Sequence, residues 1–312
     1  MDYNTQIQKN ANSYRRHFAK MNKIKETKLL QSYKESLKEI KKQVADMFQK
    51  YGDKITLEEM KAYNRLTNLE YNIAQEIKKL NGKLINTTKT TIKDAFKISY
   101  NWTGFNYETT LGLAMGFGNL PTSAIQAAIL NKYDTIKWSE RLLANQKVYV
   151  RQIREEITKG LIQGKGYGAI AKSINEHADI GATKVLRIVK TETHRASAEG
   201  TLKAYDRVLS AAEDLDIEMR KRWMSTLDAR TRDTHAAMDG EFADDEGMFI
   251  FPSGIVTEAP GLSGDPAEDI NCRCTSTLEV EGLDENKRRD NESKQIINYK
   301  TYEDWSKGKG IN

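Results

Sequence analysis

From Leu30 the apolar positions fall at Leu30, Tyr33, Leu37, Ile40, Val44, Met47 and Tyr51, in alternating steps of three and four with Lys and Glu between them. This spacing predicts a long amphipathic helix with one narrow apolar seam, a surface that needs a partner helix. Gly52 and Asp53 break the pattern. Thr56 and Glu59 then form a capping box that starts a second helix through Leu66, Leu69, Ile73, Ile77 and Leu80, stopped at Asn81-Gly82. The simplest arrangement is an antiparallel helical hairpin with a basic exterior.

Residues 83–100 read as a further helix, with Leu84, Ile85, Thr88, Ile92 and Phe96 on one face. From 101 to 121 Gly and Asn alternate with Trp102, Phe105, Tyr107 and Phe117, which predicts an ordered connecting loop and a domain boundary. The helical period returns from Trp138 to Leu161 and closes at GKGYG. A short helix is expected around Ile170 and Ile174, then a long one over about Ala182 to Ala212. Past Lys221 the period changes to two at Trp223, Ser225 and Leu227; MFIF and RCTSTLEVE supply a second and a third short strand. The fold class is therefore α+β and predominantly helical: a basic arm (1–100), a connecting loop (101–121), a helical layer packed on a small sheet (122–283) and a charged, mostly exposed tail (284–312) whose Tyr302 and Trp305 are expected to dock.

Composition agrees with a strongly solvated chain: 38% hydrophobic and 30% charged residues, with a mean hydropathy of −0.68. The most apolar window, Leu111 to Leu130, is interrupted by Gly112, Gly116, Gly118, Asn119, Pro121 and Gln126, so no membrane span is expected. The polar N-terminus lacks the apolar core of a secretory signal and reads as cytosolic. Charge is uneven. Residues 1–100 carry 21 Lys+Arg against 11 Asp+Glu, a net of +10, while the rest of the chain is at −5. Such an arm suits a polyanion such as double-stranded DNA, or an acidic protein surface; a solvated Lys-rich helix face is the plainer alternative.

The candidate chemistry lies between Arg187 and Val280, which hold His194, His235, Cys272 and Cys274. On a strand, Cys272 and Cys274 would face the same way and grip one ion, with His235 as third ligand and His194, Asp239 or Asp228 as fourth. The alternative is that the thiols are small apolar packing residues and His235 the partner of a carboxylate. A second group of residues suggests a structural network. Glu192 and Arg195 are spaced i, i+3 on a helix, Arg195 within reach of Asp228 or Asp239, and Arg230 able to hold Glu192. Trp223 is expected buried against that helix, Asp228 to cap the turn after the first strand, and Gly240 to release it. The sequence contains none of HExxH, a P-loop, GxSxG or GxGxxG opening a helix, nor the HxE and PCxxC of zinc deaminases, which disfavours an enzyme.

In order and spacing, KTETHRASAEG, RWMSTLDARTRDTHAAMDG, FIFPSG and DINCRC followed by a strand resemble the phage Mu F-like family of head morphogenesis proteins, over about 150 residues from near Trp138 to Val280. The resemblance implies a minor head protein of a tailed bacteriophage that binds portal, scaffold or capsid protein and serves head assembly, DNA packaging or DNA ejection without catalysis. It places the chain in the capsid interior of the virion, and in the host cytoplasm during assembly. Family members recur ahead of toxin domains, for which the roughly 30 residues after the CRC strand leave no room. Some relatives carry a Cys-x-x-Cys after the Asp-x-Arg turn; Arg232 and His235 stand there in this chain, leaving at most three obvious ligands for a structural zinc. Two other readings stand beside this one: a metal-dependent hydrolase or nuclease using His194, His235 and Asp228, and a nonspecific DNA-binding protein ejected with the genome.

Overall fold

Long helices make up most of the chain, and they run through positions where glycine and asparagine predict breaks. The computed structural model describes residues 3–52, 54–117, 120–130, 136–282, 287–290, 292–293, 295–298 and 301–309. The elements in order are α1 (Tyr3–Tyr51), α2 (Leu57–Lys61), a 3-10 turn (Ala62–Asn64), α3 (Arg65–Leu111), α4 (Thr122–Leu130), α5 (Trp138–Ile162), α6 (Tyr167–Glu213), β1 (Met219–Met224), α7 (Asp233–Ala237), β2 (Phe249–Ile250), β3 (Val256–Thr257), α8 (Pro266–Asp269), β4 (Thr275–Val280), β5 (Lys287–Arg289), β6 (Ile296–Asn298) and α9 (Tyr302–Lys309). The fold is a predominantly helical α+β, as the pattern predicts.

Three helix expectations need correction. α1 starts at Tyr3 instead of near Leu30, because its early turns bury the amides Asn4, Gln8 and Asn12 as well as Ile7, and a search for aliphatic periodicity passes over them. Asn81-Gly82 does not end a helix: α3 continues to Leu111, so half of the expected loop 101–121 is helical. An interior glycine costs only about 1 kcal/mol relative to alanine, and the continuous face Ile73, Ile77, Leu80, Leu84 offsets it. The separate helices expected around Ile174 and from Ala182 are one helix, α6.

The capping box forms as predicted: the Thr56 N–H donates to Glu59 Oε2 at 2.8 Å and the Glu59 N–H to Thr56 Oγ1 at 3.3 Å. The helix it starts ends after Lys61. Tyr63 and Asn64 then take left-handed backbone angles (φ 55° and 57°) before α3 begins.

The chain divides into two compact units at positions other than the expected domain boundaries: residues 1–21, 91–134 and 190–312 form one, and 22–90 with 135–189 the other. Three of the four division points fall inside helices, in α1, α3 and α6. In the second unit the seam of α1 buries Leu29, Tyr33, Ile40, Val44 and Met47, with Leu29 at 1% exposure taking the place expected of Leu30 at 37%. Its covering is more than a sequential hairpin. The Tyr33 ring meets that of Tyr149 of α5, tilted, at 6.3 Å, and Asn145 donates to both the Tyr33 hydroxyl and the Gly181 carbonyl of α6. This unit carries 25 Lys+Arg and 14 Asp+Glu, a net of +11, so the positive charge extends well past the 1–100 arm into residues 135–189.

The first unit holds the sheet. β1 and β4 pair antiparallel with Trp223 opposite Ser276 and Met224 opposite Thr275. The expected MFIF strand does not join them; β2 pairs only with β3, and β5 with β6. β4 is fixed by side chains from the helices. The Tyr107 hydroxyl donates to the Leu278 carbonyl at 2.9 Å and accepts from the Leu278 N–H at 2.7 Å, Asn4 makes the same two-way exchange with Val280, and the Tyr205 hydroxyl donates to the Ser276 carbonyl. These bonds satisfy backbone groups that the strand's free edge would otherwise leave unpaired. Ile7, Tyr107, Tyr205, Val208 and Leu278 pack around them. α6 approaches α3 closely: a Cβ on Gly200 would stand 2.3 Å from the Phe96 carbonyl oxygen.

Candidate metal centre

The segment that carries both cysteines is built by its neighbours. Asp265 caps α8 by accepting from the Ala267 N–H at 2.7 Å, with Pro266 in the first turn, where a missing N–H costs nothing. Asn271 then takes a left-handed angle, φ 59°, and the Cys272 N–H donates to the Asp269 carbonyl. The cysteines therefore lie in the connection before β4 and not on the strand itself, which begins at Thr275. Their sulfurs nonetheless converge.

His235 comes from α7, which follows the turn after β1. Its Nδ1 stands 3.3 Å from Cys274 Sγ and 3.7 Å from Cys272 Sγ, and the three atoms lie within 4.8 Å of one another, all buried. On the other side of the ring, Nε2 is 3.0 Å from Glu268 Oε2 and 3.1 Å from Arg232 Nη1. Arg232 also donates to the Glu268 carbonyl at 2.7 Å and to the Ile270 carbonyl, which fixes α8 against α7. The surroundings are apolar. Trp223, Met238, Ala243, Phe249 and Phe251 form one cluster with the two cysteines, and the Trp223 ring meets Phe249 and Phe251 at 5.3 Å and His235 at 5.8 Å.

Ionisation follows from this geometry. The hydrogen bond between the free thiols drives their pKa values apart: with that hydrogen bond and the His235 contact, Cys274 is held well below the usual thiol range against its burial, whereas Cys272 is pushed well above it by the same hydrogen bond and by burial. Burial alone would lower His235, but the Cys274 contact and the nearby Glu268 charge raise it. His194, half-buried, is kept neutral by burial. It bonds to the Pro260 carbonyl, its Nε2 has no hydrogen-bond partner, and its ring presses so closely on Gly261 (φ 87°) that a Cβ there would come within 2.5 Å. Beside it is a cavity of about 70 Å³ lined by His194, Cys274, Tyr14, Ser197 and Thr275 among others.

The remaining predicted residues fall around this cluster. His194, Asp228 and Asp239 lie outside the three-atom group. Asp239 accepts from the Ser225 N–H at 2.7 Å and from the Tyr302 N–H at 2.6 Å, so it ties β1 to α9. Glu192 and Arg195 pair at 3.2 Å within α6, both buried. Asp228 is not the cap of α7, whose N-cap is Arg232 without a side-chain bond. It closes its own turn by accepting from the Arg230 N–H at 2.9 Å and takes the guanidinium of Arg273, with Arg230 Nη2 at 3.3 Å. Trp223 is fully buried, its ring meeting those of Phe249, Phe251 and His235, and its Nε1 donates to Ser225 Oγ at 3.1 Å. Gly240 has φ 88° and its N–H donates back to the Trp223 carbonyl at 3.0 Å. Glu268 and Arg273 were not among the sequence-predicted residues, although Asp-Pro ahead of the acids marks a helix start that brings Glu268 inward.

A thiol, an imidazole and a carboxylate in line can activate a nucleophile. Two thiols converging on the same imidazole nitrogen within an aromatic core suit a bound cation better. Among the described residues no helix is long and apolar enough to cross a membrane.

Comparison with known proteins adds the following. Residues 151–277 match the family described as Phage Mu protein F like protein. The minor head protein GP7 of Bacillus phage SPP1 is 26% identical over 293 residues, covering 91% of this chain and 92% of that protein. A protein of Enterococcus faecalis (strain ATCC 700802 / V583) named NAD(+)--arginine ADP-ribosyltransferase EFV is 35% identical over 167 residues; the match takes in 54% of this chain, which spans only 33% of the length of that relative. No solved structure matches.

Proposed function

We propose, from the match of residues 151–277 to the family described as Phage Mu protein F like protein, that the chain is a structural minor head protein of a tailed bacteriophage, acting by binding and without turnover. The observation that carries this is the nearly end-to-end alignment with the SPP1 minor head protein, 91% of one chain on 92% of the other. The transferase name belongs to a relative of which a third is matched, and its activity is not carried over. On this reading the chain resides in the virion, on the inner side of the head, after assembly in the host cytoplasm. Its partners are portal, scaffold or capsid protein. The net charge of +11 on the unit formed by 22–90 and 135–189 supports an additional, sequence-independent contact with packaged duplex DNA.

A burial argument supports binding over catalysis. Cys274, His235 and Glu268 are all at most 6% exposed, and Asp228 is committed to Arg273 and to its own turn. The test is genetic. Phage lacking the chain should show a defect in head assembly, packaging or ejection that is restored in trans by the wild-type chain. Fully infectious particles from the deletion would overturn the proposal.

A further inference from the structure

We propose that Cys272 Sγ, Cys274 Sγ and His235 Nδ1 hold a zinc ion that is part of this domain's folded structure. A tetrahedral zinc with Zn–S near 2.3 Å and Zn–N near 2.0–2.1 Å sets its ligand atoms roughly 3.5–3.8 Å apart. The two sulfur-to-nitrogen distances here are 3.3 and 3.7 Å, within a few tenths of an ångström of that geometry, and all three atoms lie inside 4.8 Å.

The chemistry of the donor set agrees. Thiolate with imidazole selects zinc over magnesium or calcium, which prefer oxygen. A ligating histidine ordinarily gives its second nitrogen to a carboxylate or carbonyl that fixes ring orientation, and Glu268 Oε2 is 3.0 Å from His235 Nε2. Charge balance points the same way: two thiolates facing Trp223, Phe249 and Phe251 would be costly alone, whereas a dication neutralises both. Without an ion the imidazole's Nδ1 has only weakly bonding sulfurs as partners, an odd use of a buried histidine. Cys274 also lines the cavity shared with His194, which has room for a water.

The site joins three separate elements, α7, the α8 segment and the approach to β4. Zinc affinity therefore becomes folding free energy for this region.

The full chain, purified without chelator from zinc-supplemented culture, is measured by elemental analysis together with titration by a mercurial that blocks thiols. About one zinc per chain is expected, released in step with modification of two cysteines. Cobalt substitution should give the intense visible bands of a tetrahedral thiolate site. Cys272→Ser and Cys274→Ser should lose the metal. Should they fail to fold, Glu268→Gln keeps all three ligands and is expected to weaken zinc about 10- to 100-fold through the loss of the orienting carboxylate. A folded wild-type chain that holds no zinc and exposes both thiols to modification at once overturns the proposal. So does zinc that stays bound after both cysteines are blocked.

Discussion

Arg273, the residue between the two cysteines, donates from Nη2 to Asp228 Oδ1 at 2.8 Å while its Nη1 binds the other carboxylate oxygen. This two-pronged pair joins the turn after β1 to the segment entering β4, two stretches 45 residues apart in sequence. It also sets the direction from which Cys272 and Cys274 approach His235. Asp228 holds the Arg230 N–H at the same time, so one carboxylate fixes the turn and the cysteine segment together.

Removing either member should therefore cost stability in excess of a surface ion pair. Arg273 is 35% exposed at its side chain and Asp228 11%, so the loss is expected at about 1.5–3 kcal/mol for Asp228→Ala or Arg273→Ala, in the range of hydrogen bonds to charged groups. Thermal or urea unfolding of the single and double variants checks this. The double variant should be less destabilised than the sum of the singles, and strict additivity would mean the pair contributes nothing.

The same pair gives a pH dependence. Burial tends to raise the Asp228 pKa, but the Arg273 hydrogen bond and charge with the Arg230 N–H lower it below the ordinary carboxylate value. A depressed folded pKa means that the stabilisation is present above the unfolded value, about 3.9, and is lost as pH falls through the lower folded value. Wild-type stability should accordingly fall on acidification below about pH 4 more steeply than that of Asp228→Asn. Parallel stability curves for the two proteins would contradict the assignment.

Two glycines in long helices should respond in opposite directions. Gly200→Ala puts a methyl against the Phe96 carbonyl, where a Cβ would stand 2.3 Å away, and should destabilise by about 1–3 kcal/mol. At Gly82 nothing lies within 4 Å of the added carbon, so Gly82→Ala should stabilise by about 0.5–1 kcal/mol through lower backbone entropy in the unfolded chain. Chemical denaturation of both variants decides the matter; a neutral Gly200→Ala would argue against the close approach of α6 and α3.

The charge reading predicts weak duplex DNA binding by the full chain that falls steeply with salt, because each neutralised phosphate releases condensed counterions. Lys34, Lys38 and Lys42 are exposed at i, i+4, i+8 on α1. Their joint replacement by Glu should lower affinity at low salt and flatten the salt dependence, without sequence preference in either protein. Affinity unchanged by the substitutions, or by salt, would reassign this face to protein partners.

Legibility in the sequence varied with the kind of signal. The Thr56–Glu59 capping box, the apolar seam from Tyr33 to Met47 and the strands around Trp223 and Leu278 depend on local spacing, and they form where that spacing puts them. Breakers were over-read. Asn81-Gly82 and the Gly/Asn-rich stretch after 101 stay helical because Leu84, Tyr100 and Tyr107 find burial along the same helix. The left-handed pair Tyr63-Asn64 carried no warning, since Tyr rarely adopts that region. Around the cysteines, His235 stood out by residue type. Glu268 and Arg273 did not, because a charged residue in the first turn of a short helix or between two cysteines reads as surface until the fold brings in a partner from more than 30 residues away.

The central claim, that this chain is a component of the phage head, is tested most directly by quantitative mass spectrometry of purified virions and proheads, with chemical cross-linking before digestion. The account predicts the chain in both particles at a fixed copy number, with cross-links to portal, scaffold or capsid protein. A chain abundant in the infected cell yet absent from virions and proheads would contradict it.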